Sequence, residues 1–144
     1  MPGHHRLAVA ALCGLLACAR RSRPPVPTAD EMREIERDTH LAFPASTRVI
    51  MWDAGRGIDA YLQMKFEIAA SDWPGFLASS PFRDHPLREG GWADLLPDHG
   101  AWDPDKVAHL VKGDVQLPNV RSLNLGADMS WPNVVVVYLF WFAT

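Results

Sequence analysis

The chain has 144 residues, 48% of them hydrophobic and 22% charged, which suits one globular domain with a modest core. Its formal net charge is -3 and the folded part carries no basic cluster, so the composition argues against nucleic-acid binding. Twelve prolines and ten glycines fall mostly between periodic segments and predict a loop-rich fold.

The N-terminus comes first in the chain and sets the compartment. Met1 to Arg6 carries positive charge, and Leu7 to Ala19 is an unbroken apolar run of thirteen residues. At ~1.5 Å per residue such a helix falls short of a ~30 Å hydrocarbon core, but it fits the apolar region of an export signal. The run ends in Leu15-Leu16-Ala17-Cys18. This resembles the lipobox of bacterial lipoproteins, in which a small residue precedes a lipidated cysteine. The resemblance implies cleavage before Cys18, acylation of its thiol and attachment to a membrane. It places the domain in the cell envelope, in the periplasm or on the cell surface, with the outer membrane as the anchor site in a Gram-negative cell. Arg20 to Arg23 puts positive charge after the apolar run, against the usual topology bias. Ordinary secretion and an uncleaved anchor therefore stay open. With Cys18 acylated, the remaining chain has no thiol for a disulfide, a nucleophile or a metal.

Residues 1–17 are thus read as a signal peptide, 18–27 as the lipidated cysteine with a proline- and arginine-rich tether, and 28–144 as one domain. Thr28 and Glu31 have capping-box spacing, and Met32, Ile35 and Thr39 follow on one helical face, with Pro44 as the stop. Arg48 to Asp53 predicts a strand, and Gly55-Arg56-Gly57 a turn. From Ile58 to Ala69 the residues alternate. Ile58, Ala60, Leu62, Met64, Phe66 and Ile68 face a core, while Asp59, Tyr61, Gln63, Lys65 and Glu67 form a wet face. Ser71 caps a short helix with Trp73, Phe76 and Leu77 as its apolar stripe, and 81–100 is irregular. Asp103 and Pro104 open a predicted third helix, buried through Val107, Leu110 and Val111 and closed by Gly113. Val120 to Asp128 and the all-apolar Val134 to Phe142 predict two more strands, the last one central. The expected class is α+β: a small antiparallel sheet of about four strands with two or three helices mainly on one face.

The domain also resembles a loose group of small bacterial lipoproteins. The resemblance rests on Phe43-Pro44-Ala45-Ser46, the strand around Leu62 to Phe66, Phe76-Leu77, Trp102-Asp103-Pro104 and Val137-Tyr138-Leu139. It implies an envelope compartment and a small α+β fold, and no catalytic residues.

The chemistry-bearing residues form no established template. Asp84-His85, Asp98-His99, Asp103 and His109 lack metal-site spacing, and there is no HExxH. Asp103-Pro104-Asp105 fails as a calcium loop, since Ala108 and Asp114 stand where glycine and glutamate belong. No serine sits in a GxSxG elbow. No cofactor is expected. Two surfaces are binding candidates: the strand face of Tyr61, Gln63 and Lys65, and the long loop carrying Trp92 and Trp102. The expected role is a non-enzymatic module binding an envelope protein or wall component. The alternative is a small envelope hydrolase or metal-binding protein using loop His and Asp residues.

Overall fold

A computed structural model of the protein describes residues 26–90 and 100–143. Cys18 and its flanks lie outside the described residues, as do Trp92, Asp98 and His99. The described chain is mostly one six-stranded antiparallel sheet with two short helices. That corrects the expected α+β fold of about four strands with two or three helices.

Helix α1 spans Ala29–Thr39. Its capping box is formed: the Glu31 amide donates to Thr28 Oγ1 at 3.3 Å, and the Thr28 amide donates back to Glu31 Oε2 at 2.8 Å. The amphipathic stripe buries Ile35 and Thr39. The helix stops before Pro44, because His40 adopts a left-handed conformation with φ 57°.

Strands β1 (Arg48–Gly55) and β2 (Tyr61–Ala69) form a hairpin. Strand β2 starts later than the alternation suggests, since Ile58 is 94% exposed in the connecting turn. Gly55 lies opposite Tyr61, whose ring occupies the space a Cβ on Gly55 would need. In β1 the register shifts between Val49 and Met51, leaving Ile50 as one extra residue, a β-bulge. Helix α2 (Trp73–Ala78) follows and buries Trp73 and Phe76.

The remaining strands are β3 (Arg88–Glu89), β4 (Leu110–Leu117), β5 (Arg121–Asp128) and β6 (Val134–Ala143). The sheet order is β1-β2-β6-β5-β4-β3, so β6 is central, as its unbroken apolar run predicts. Strands β3 to β6 are a meander, and β6 joins it to the β1–β2 hairpin through nine paired residues.

The predicted third helix is not formed. Pro104–Lys106 makes a single 3-10 turn, and the chain from Leu110 pairs with β5 along eight positions. The Asp103 side chain makes no capping bond. Gly113 does not stop a helix: it lies within β4, and a Cβ there would come 2.7 Å from Leu87 Cδ2, so a larger residue would push the Leu87 side chain aside.

Alternation gives the sheet two faces. On the first, Leu62, Met64, Phe66 and Ile68 meet Val135, Val137, Leu139 and Trp141, with Ile35 of α1 and Trp73 and Phe76 of α2 above them. Phe43, Phe66 and Phe76 interlock there, with ring centroids 5.2 to 6.3 Å apart. The second face carries Tyr61, Gln63, Lys65 and Glu67, and it positions the candidate site.

Candidate functional site

Period-two geometry puts Lys65 of β2 on the second face, between Met51 of β1 and Tyr138 of β6. The segment from Ala101 to Val107 lies over this trio. Trp102 is fully buried and packs edge-on against Tyr138, with ring centroids 5.4 Å apart and planes at 83°. With Leu110 these two residues form a small second core, lined by Met51, Val107, Val136 and Phe140.

A polar latch fastens the segment. Lys65 Nζ donates to Asp103 Oδ1 at 2.6 Å and to the Ala101 carbonyl at 2.9 Å. The Tyr138 hydroxyl donates to the same Asp103 oxygen at 2.9 Å, and Lys65 Nζ lies 5.0 Å from the Tyr138 ring centroid. Burial pushes the Asp103 carboxyl upward. Hydrogen bonds from Lys65 and Tyr138, with the charges of Lys65 and Lys106, outweigh it and hold the group below the ordinary carboxylate range. Asp103 therefore stays ionised at neutral pH: it accepts hydrogen bonds and is poorly suited to act as a general acid.

The predicted wet face is thus largely covered. The Lys65 side chain is 12% exposed and Gln63 only 2%. For Lys65 long-range contacts account for this, because the covering segment is 36 to 38 residues away in sequence. Of the residues singled out from sequence, the structure brings Lys65 and Trp102 together. Tyr61 stands apart at the end of β2, its hydroxyl donating to Asp53 Oδ2 at 2.7 Å. Gln63 lies between, its amide nitrogen without a hydrogen-bond partner among the described residues. Trp102 is core and not a loop surface.

Beside the latch an open groove of about 780 Å³ runs between the covering segment and the turn before β6. Its apolar lining comes from Ile50, Val107, Val134 and Val136, and the bulge in β1 is what turns Ile50 into it. Glu67 borders it and is bound to Arg48 at 2.6 Å. At the rim stands Trp131, 59% exposed. Its Nε1 donates to Asp128 Oδ2 at 3.2 Å, and Asp128 Oδ1 accepts from the Ser130 amide at 2.9 Å. An exposed indole is thereby tethered in place. The volume falls within the ~300–1,000 Å³ of small-ligand sites.

Tyr138, Asp128 and Trp131 belong to this site without having been singled out as site residues, and Asp103 had been weighed only as a metal ligand and a helix cap. Tyr138 had a signal, since it is in phase with Val134 and Val136 on one side of β6. No group of three or more potential metal ligands occurs among the described residues. His85 and His109 are exposed. No family model, curated protein or solved structure matches the chain.

Proposed function

We propose that the chain is a lipid-anchored envelope lipoprotein whose sheet domain is a binding module, with the groove beside Trp131 as its binding site. The groove carries the binding half of this reading: it is open, of ligand size, mixes apolar floor with fixed polar groups, and has a tethered aromatic at its rim. The anchor half rests on Leu15-Leu16-Ala17-Cys18 and the basic, proline-rich stretch after it. Several acyl chains in a bilayer, at ~0.8 kcal/mol per CH₂, would hold the domain firmly.

The reading favours binding over hydrolysis because its best-placed carboxylate, Asp103, is locked in an ion pair. Asp84, the described partner of His85 in sequence, faces Arg83. Two experiments test the proposal. Labelled palmitate enters the wild type and is lost in Cys18→Ala; incorporation that survives the substitution removes the anchor. A tryptophan-fluorescence screen of envelope glycans, peptides and short acyl chains finds a saturable response that Trp131→Ala abolishes; silence across all classes removes the groove.

A further inference from the structure

We propose that the groove takes an uncharged, hydroxyl-rich glycan segment. The inference rests on the groove being the binding site and names the ligand class.

The charges of the lining select for neutrality. Lys65 is paired with Asp103, and Glu67 with Arg48. Of the lining charges, that leaves Lys106 and Asp128, which are opposite in sign. The groove therefore presents little net field to concentrate an anion or a cation. An acyl chain is disfavoured for a different reason. Filling the groove with hydrocarbon would strip water from ionised groups without replacing its hydrogen bonds.

A sugar meets both conditions. Each carboxylate oxygen can accept two hydrogen bonds. Asp103 Oδ1 takes two donors, from Lys65 and Tyr138, which leaves Oδ2 to accept a hydroxyl. Each Asp128 oxygen takes one donor, from Ser130 or Trp131, and has room for a second. The Asn133 amide and Lys106 ammonium add donors to the lining. The apolar C–H face of a pyranose suits Val134, Val136 and the exposed indole. That indole needs little ordering on binding, because its Nε1 is already fixed to Asp128.

The test is calorimetric titration of the full chain with N-acetylglucosamine tetrasaccharide and cellotetraose, with trilysine and octanoate as the cationic and acyl arms. A saturable heat is expected from at least one tetrasaccharide. Trp131→Ala should weaken it about tenfold, equal to ~1.4 kcal/mol, and Trp131→Phe should weaken it less. Asn133→Ala, which leaves the indole in place, should also weaken it. Trp131 is exposed, so circular dichroism should show both Trp131 variants folded. No saturable heat from either sugar, or an affinity unchanged in Trp131→Ala, overturns the proposal. Trp131-dependent binding of trilysine or octanoate with silent sugars overturns the glycan and keeps the groove. Silence from all four probes removes both.

Discussion

Among the described residues, nineteen buried apolar residues form a continuous core on one side of the sheet; on the other, three do, with an ion pair and a phenol packed against them. The first face is held by area. Its side chains come from five strands and both helices, so each is over-determined by many neighbours. The second face is held at points: Trp102 on Tyr138, and Asp103 on Lys65. A layer fixed by a few directional bonds can leave open space beside it, and the groove lies there. The continuous core and the groove are thereby separated across the thickness of one sheet.

Substitutions on the two faces should differ in kind. The largest effect is expected from Phe66→Ala, where loss of a fully buried ring between Phe43 and Phe76 should cost about 3–5 kcal/mol, read as a shift of the whole urea unfolding curve. Asp103→Asn should cost less, about 1–2 kcal/mol, because the Asp103 side chain is 32% exposed although Lys65 beneath it is nearly buried. Its signature should be local. Hydrogen exchange should quicken around Trp102 and Tyr138, while the amides of Leu123 and Leu125 stay protected. If Asp103→Asn instead unfolds the chain as a whole, the two faces are one cooperative unit and the contrast fails.

The latch also has a pH signature. The folded Asp103 carboxyl lies below its unfolded value of about 4, so its stabilisation is complete above that value. It is lost as pH falls through the lower folded value. Acid should therefore loosen the Trp102 segment, and Asp103→Asn should abolish that part of the pH dependence. The smallest expected effect belongs to the first face. Thr28→Ala removes the capping box of α1 and should cost about 1 kcal/mol, read as a small drop in Tm.

Much of the first face was legible because its signals are local. Thr28 and Glu31 cap a helix three residues apart, and the alternation from Leu62 to Ile68 survives unchanged as β2. The third helix misled for the same reason. Asp103, Pro104 and Gly113 are sound local helix signals, yet they yield only one 3-10 turn. Pairing along β5 overrides them, and Val111, Val115 and Leu117 carried the period of two that fits it. The strand count rose to six with β4 and the two-residue β3. The second face could not be read from the chain. Lys65 and Trp102 were each visible as candidates, but their meeting through Asp103 and Tyr138 joins elements far apart in sequence. Asp128 closed one predicted strand and Trp131 fell between that strand and the next, where no local pattern marks a site.

The bulge at Ile50 has one more effect. Strand β1 is an outer strand of the sheet, with backbone groups along its free side that could template another chain. The extra residue breaks that row near its start, and Arg48 and Asp53 place charge along the strand. The deformation beside the groove thereby also disfavours continuous pairing of a second chain along this edge.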